Sequence, residues 1–321
     1  MARLVLQEFR DLGRWHELCT ATADLSPFQT PEWHLALGGF SHLLVVLDGD
    51  DWLSALPVRR SALGGWTSSG TSVSDYLDPL VRVGSESEVR AAYAESGLAV
   101  ALAHVRPSSA LSSLMWGNRT DQDVCLACSL PSTWGAFRQR LGKSLRADLD
   151  RWDSGRSRSL GATIVESPNE DGLASLVHLH EQRWRGRGLP GSFWGKRGEF
   201  HRRWVASAPE GTVWISVLVV EGSPVGAIYA MRAGKTCYFY QSGVAAAPFS
   251  PGSVLIAHTI RRAIGEGCTR FDMLRGNEAY KRRWMPDQEF RLQFLAQGDW
   301  RGRILSGAAR ARQKIKEQFE K

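Results

Sequence analysis

No stretch of the 321 residues approaches the ~20 consecutive apolar positions that a membrane-crossing helix needs. The opening segment, MARLVLQEFRDLG, breaks into charge before a signal-peptide core can form, so a cytoplasmic protein is expected. Cysteine is sparse: five residues, an odd number at irregular spacing, exclude a disulfide framework. The one close pair, Cys125 and Cys128, sits in VCLACSL, where strand geometry turns the two thiols to opposite faces. That is a poor metal site, no metal is expected, and the thiols read as buried structural residues. Low-complexity tracts are also lacking. With 43% apolar residues, the chain has the length and composition for two globular lobes, each burying its own core.

What is present is an uneven charge distribution. Residues 1–130 hold 9 Lys+Arg and 15 Asp+Glu, net −6, whereas residues 131–321 hold 31 and 18, net +13. A basic second half favours a polyanionic ligand such as the phosphates of coenzyme A, a phosphopantetheine carrier or tRNA; an ordinary solvated arginine-rich surface is the other reading.

The first half reads as a mixed α/β unit. A helix is expected after Pro31, and SHLLVVLDGDDWLSALPVRR is a hairpin around an Asp-Gly-Asp turn. SVSDYLDPLVRV gives a short strand, ESEVRAAYAESGLAVAL a helix, and DVCLACSL a further strand before a long amphipathic segment from Ser132 to about Gly155. The second half continues with GATIVES as a strand, two helices, three strands over 212–244, a loop, a helix from Ser253, a strand TRFDMLRG, a short helix NEAYKRRW and a last strand EFRLQFLA. The order β-α-α-β-β-β-α-β-α-β defines an α/β fold with mixed sheets.

That order resembles a GNAT domain. SDYLDPLV at 74–81, LGKSLRADLDR at 141–151, HEQRWRGRG at 180–188, SPVGAIYA at 223–230 and RFDMLRGNEAYKRRW at 270–284 resemble the CelD/BcsL-type predicted acyltransferases, which are tandem-GNAT proteins. More distantly the chain is similar to the Fem aminoacyltransferases, with Tyr280-Lys281-Arg282-Arg283-Trp284 as the clearest echo. The resemblance implies two tandem GNAT-like domains, 1–131 and 157–300, joined by a bridging helix at 132–156 and followed by a basic helix at 301–321. It also implies transfer of an acyl group to an amine by direct attack.

The sequence departs from the GNAT pattern at the phosphate loop, which reads Ala247-Pro248-Phe249-Ser250-Pro251-Gly252-Ser253. Its two prolines have no N–H, leaving Gly252, Ser253, Val254 and Leu255 to face an anion at the helix N-terminus. The donor implied is acyl-CoA as co-substrate, with no cofactor bound permanently; an acyl carrier protein or an aminoacyl-tRNA would ask less of this loop.

In such a fold the acyl carbonyl lies where the strands of Tyr238–Val244 and Arg270–Leu274 splay, with backbone N–H groups near Val244 and the side chain of Tyr240 at hand. By the same resemblance Tyr280 is expected to give a proton to the leaving group and Lys281 to steady a carbonyl oxygen or carboxylate. The alternative is that Tyr280 and Trp284 pack the short helix and Lys281 is solvated. Asp272 and Arg275 end the preceding strand, Asp272 either as a base acting through water or as an ion-paired structural carboxylate. Asp75 and Tyr76 are placed at the acceptor amine, against an Asx-turn cap. His180, Arg183 and Trp184 lie on the helix that lines the acceptor pocket in the family, and the following segment, 185–198, reads as a lid.

Three functions are open at this point: an N-acyltransferase using acyl-CoA or an acyl carrier on a small-molecule or peptide amine, an aminoacyl-tRNA-dependent transferase, or a non-catalytic GNAT-fold binding module. The expected partners are that amine and an acyl carrier protein or tRNA, not DNA. A monomer or homodimer is expected.

Overall fold

A computed structural model describes residues 1–8, 11–38, 42–62, 64–114, 118–154, 161–185 and 193–297, with 304, 307 and 311. The tail 301–321, expected as a basic helix, lies outside the described residues but for those three positions. The chain divides into two compact units, residues 1–124 with 290–321, and residues 125–289.

In chain order the elements are β1 (Arg3–Glu8), α1 (Leu12–Thr20), α2 (Pro31–Leu37), β2 (His42–Asp48), β3 (Asp51–Arg60), β4 (Trp66–Ser68), β5 (Leu80–Val81), α3 (Glu86–Glu95), β6 (Val100–Val105) and β7 (Asn118–Ser129). They continue with α4 (Trp134–Arg140), α5 (Lys143–Asp153), β8 (Thr163–Glu166), α6 (Glu170–Arg185), α7 (Lys196–Ser207), β9 (Val213–Val220), β10 (Ser223–Ala233), β11 (Thr236–Val244), α8 (Pro251–Gly265), β12 (Arg270–Arg275), α9 (Ala279–Arg282) and β13 (Gln288–Gln297).

In the first unit the strands run β1-β2-β3-β4-β6-β13, antiparallel except for the β4/β6 pair, with β5 on β3. The unbroken apolar run Leu43–Leu47 follows from burial on both faces. Leu43, Val45 and Leu47 pack with Trp15 and Leu18 of α1, while Leu44 and Val46 pack with Val89 and Tyr93 of α3. Gly49, with φ +59°, makes the tight β2–β3 turn.

The second unit runs β7-β12-β11-β10-β9-β8, with β11/β12 the single parallel pair. Opposite faces are covered by α6 and α8. A side chain at Gly243 would come within 2.8 Å of the His180 backbone nitrogen on α6, and one at Gly226 within 2.9 Å of Leu255 Cδ1 on α8.

Each unit thus carries the same pattern: four antiparallel strands, a crossover helix, a parallel strand beside the fourth, and a final antiparallel strand. The units exchange that final strand. β7 follows β6 in the chain yet pairs with β12, and β13 follows β12 yet pairs with β6.

Three expectations are corrected. The helix drawn through ESEVRAAYAESGLAVAL ends at Glu95, because Gly97 turns the chain at φ +63°, and Val100–Val105 is strand β6. The segment 132–156 is two helices, separated where Leu141 is extended (ψ 149°) and Gly142 serves as N-cap of α5. The last strand, which the sequence assigns to the second lobe, joins the first unit, where Leu295 is in the main core.

Candidate functional site

β11 and β12 are paired only over Thr236–Tyr238 and Arg270–Asp272. Beyond Tyr238, β11 runs on through Val244 with no strand paired on its β12 side, so the two strands splay apart there. β11 also carries a bulge at this point, since Tyr229 faces Gln241 and Ala230 faces Phe239, leaving Tyr240 as the extra residue.

β12 is bent away by its own irregularity. Asp272 is opposite Ala127 and Arg275 opposite Cys125 on β7, so Met273 and Leu274 share the single partner Leu126. Leu274 adopts φ +58°, a left-handed conformation that costs a branched side chain energy and is held only by surrounding contacts. Two buried charges supply them. Asp272, 1% exposed, accepts the Leu274 N–H at 2.8 Å on Oδ1 and the Arg270 guanidinium at 2.9 Å on Oδ2. Lys281, 3% exposed, donates from Nζ to the Arg275 carbonyl at 2.6 Å and pairs with Glu278 at 3.1 Å. Gly276, at φ +117°, leaves room for the Glu278 carboxylate, which a Cβ would meet at 2.3 Å.

Both oxygens of Asp272 are therefore occupied, which suits the structural reading better than the basic one. Lys281 is not solvated, as one reading had it, and its ammonium fixes the end of β12. Tyr280 stands where the strands part: it is 39% exposed, and its ring is edge-on to Phe239, the first residue past the paired stretch, at 6.2 Å.

α8 begins against the far end of β11, where a Cβ on Gly252 would lie 3.7 Å from Val244 Cγ1. Val244, Gly252, Ser253 and Leu255 are thus brought together. The Val254 N–H is used by Ser250 O at 3.1 Å, and Ser250 Oγ donates to Ser253 Oγ at 3.0 Å. Of the four N–H groups expected to face an anion, Val254 is committed within the helix. Gly252 and Ser253 come before the first residue that can reach a carbonyl four positions back. The first turn of α8 contains no acidic residue, whereas its counterpart α3 carries Glu86 and Glu88 there. Beside the loop, Trp152 of α5 meets Phe249 at 5.5 Å.

The wall above β11 is aromatic. Tyr240 lies 5.2 Å from Tyr229 and 5.5 Å from His201, and Phe193 stands edge-on to His180 at 5.1 Å and 5.0 Å from His201. Sequence reasoning missed His201. Burial, with help from the Arg197 charge, pushes its pKa down to about 3, so the ring is neutral. The only signal was its place among Phe200 and Trp204 in an otherwise basic helix. The side chains of Arg183 and Trp184, and residues 186–192 of the expected lid, lie outside the described residues.

Asp75 and Tyr76 belong to the first unit. Tyr76 is fully buried, ringed by Phe28 at 5.9 Å, Phe290 at 6.1 Å and the Arg106 guanidinium at 5.1 Å; Asp75 is buried beside it. Arg106, also missed, binds Asp78 through Nε (3.0 Å) and Nη2 (2.8 Å) and Asp24 at 2.8 Å, locking this segment to Gln29 and the α1–α2 connection.

All five cysteines are buried, and burial drives the thiol of Cys128 up to about 12. A thiolate nucleophile is not on offer.

Residues 143–282 match the acetyltransferase (GNAT) domain family. No curated protein matches the chain in sequence. Among solved structures, FemX is 11% identical with a TM-score of 0.67, covering 90% of this chain and 96% of its own. The C-terminal domain of a putative lysylphosphatidylglycerol synthetase from Agrobacterium fabrum is 13% identical with a TM-score of 0.59, over 91% and 93%. A tandem GNAT protein from the clavulanic acid biosynthesis pathway is 13% identical with a TM-score of 0.50, over 93% and 99%. At these identities the likeness is one of fold. Over residues 143–282 the chain is thus similar to the acetyltransferase (GNAT) domain family, and over nine-tenths of its length it shares a fold with FemX.

Proposed function

We propose that this protein is an N-acyltransferase that passes an acyl group from acyl-CoA or an acyl carrier protein to an amine, in the β11/β12 cleft of the second unit. The observation that carries the reading is the conjunction of that cleft with the acid-free first turn of α8 at Val244. The Gly252 and Ser253 N–H groups and the helix dipole receive a phosphate or pantetheine oxygen. The exposed main chain of β11 around bulged Tyr240 receives the acyl carbonyl, and its N–H groups stabilise the oxyanion as the amine attacks.

Tyr280 gives a proton to the departing thiolate and is reprotonated by the one that the attacking nitrogen loses, so the products are an amide and a free thiol. Asp272 and Lys281 act at one remove, holding β12 clear of the cleft. His180 and Tyr240 contribute to the wall met by the acceptor.

Acyl-CoA is expected to raise the unfolding temperature of the intact protein. With an amine found by intact-mass screening, Tyr280→Phe is expected to lower kcat by about a hundredfold with little change in KM. Unchanged stability with every acyl-CoA and carrier tested, or full turnover in Tyr280→Phe, would remove the reading.

A second donor is favoured by one observation. With two prolines and Val254 committed, the α8 terminus has few N–H groups for a pyrophosphate, and an aminoacyl-tRNA would need fewer. Turnover abolished by ribonuclease selects that donor.

A further inference from the structure

Several cationic side chains of the second unit are paired with carboxylates where they stand. Arg140 pairs with Asp287 at 3.0 Å, Arg261 with Asp153 at 2.7 Å and Arg262 with Glu166 at 2.5 Å. Each such pair also consumes a carboxylate, so the net charge of the second half resides at the places where cations are left without one. The clearest such place is α7. Lys196, Arg197, Arg202 and Arg203 are all exposed, and the side chains of Lys196 and Arg202 have no acidic partner among the described residues. Lys196, Glu199 and Arg202 fall within one outward stripe at 100° per residue, so a single carboxylate is set against two cations. The inner side of the helix, Phe200, His201 and Trp204, is buried in the unit's own core.

At the head of this stripe stands Trp194, 72% exposed, the most exposed aromatic side chain among the described residues. Lys143 and Arg146 on α5 also lack described partners, but no exposed aromatic accompanies them. An indole left in water costs apolar hydration, and its place next to unpaired cations matches the composition that settles at the boundary of an anionic bilayer, where the ring sits among the headgroups and the cations meet lipid phosphates.

We propose that Trp194 and the outer stripe of α7 form a docking surface for an anionic phospholipid bilayer. A convex helix flank with one indole at its end presents a shallow, flat contact, which suits a membrane surface better than the groove that a nucleic-acid strand requires. α7 itself stays packed on its core; only the indole enters the interface. Since His201 on the inner side of α7 lies against Tyr240, docking would bring the aromatic wall of the second unit close to the bilayer. The inference stands independently of the donor and of the acyl-transfer chemistry.

The test is flotation of the full chain with vesicles of phosphatidylcholine alone or of phosphatidylcholine and phosphatidylglycerol in equal parts. Binding is expected only to the anionic vesicles and is expected to weaken with salt. Trp194→Ala and the double variant Lys196→Gln/Arg202→Gln are surface changes and should leave the unfolding temperature in place. Each lost cation is expected to weaken binding about fivefold. Brominated acyl chains should quench emission in the wild type more than in Trp194→Phe, which reports insertion of that one indole. Absence of binding to the anionic vesicles, or equal binding by both variants, overturns the proposal. Loss of bulk tRNA binding in the same variants, with vesicle binding unaffected, overturns it in favour of RNA.

Discussion

Two histidines are held uncharged by the cores around them. Burial takes His34 down to about 4, although its hydrogen bond to the Phe28 carbonyl pulls the other way, and burial with the Arg197 charge takes His201 to about 3. Above the ordinary histidine range both states of the protein are neutral at these sites, and full stability is present. As pH falls below about 6.5, the unfolded chain takes up protons that the folded protein refuses, so stability is lost between there and about 3. Denaturation midpoints in urea should therefore drop steadily from pH 7 to pH 5, at up to ~1.4 kcal/mol per pH unit for each histidine. His201→Gln should flatten that slope; an unchanged slope would show that His201 titrates normally.

Arg106 makes a different demand. Its removal strands Asp78, which is nearly fully buried, so Arg106→Met should cost about 3 kcal/mol or more in urea denaturation, with partial recovery when Asp78→Asn is added. None of this was legible from spacing. Asp78, Arg106 and Gln29 are far apart in the chain, and the SDYLDPLV segment drew attention to Asp75 and Tyr76 instead. Tyr280 and Lys281 were legible as a pair because the short helix follows β12 directly. Their different placement was not, since it depends on which of the two turns under the strand.

At the level of elements, the close approach of helix to sheet rests on two glycines that differ in what they face. A methyl at Gly243 would press on main-chain atoms of α6, namely His180 N at 2.8 Å and Leu176 O at 3.1 Å, whereas one at Gly226 would meet the flexible end of Leu255 at 2.9 Å and Pro251 Cβ at 3.1 Å. Gly243→Ala should destabilise the protein by about 2–3 kcal/mol and Gly226→Ala by less; the reverse order in chemical denaturation would contradict this packing. The β2–β3 hairpin, β9 to β11 and α8 could be read ahead because their periodicity and turn residues are local, whereas the splay of β11 from β12 was implied by the family resemblance alone. The α3–β6 junction could not: Val100 falls on the helical face of Val89 and Tyr93, and only Gly97 and the pairing of β6 with β4 and β13 decide against a continued helix.

For the whole molecule the informative fact is that the first unit is built from both ends of the described chain and the second from its middle. Cutting the chain after Glu289 deletes most of β13, and with it Leu295 from the first core. Such a truncation should unfold the first unit while leaving a cooperative transition for the second, seen as retained protection of β9–β11 amides in hydrogen exchange. Uniform protection of both units would argue that β13 is dispensable. No local pattern in the sequence announces an exchanged strand, because EFRLQFLA reads identically wherever it pairs.

The same exchange sets an order of events during synthesis. A ribosome has released the greater part of the first unit long before Leu292–Ala296 exist, and those residues leave the exit tunnel after all of the second unit. The unit whose strands are made before those of the second is thus completed after it, with the free margin of β6 left open until then. A nascent chain of this design has reason to be guarded by a chaperone along that margin until translation ends.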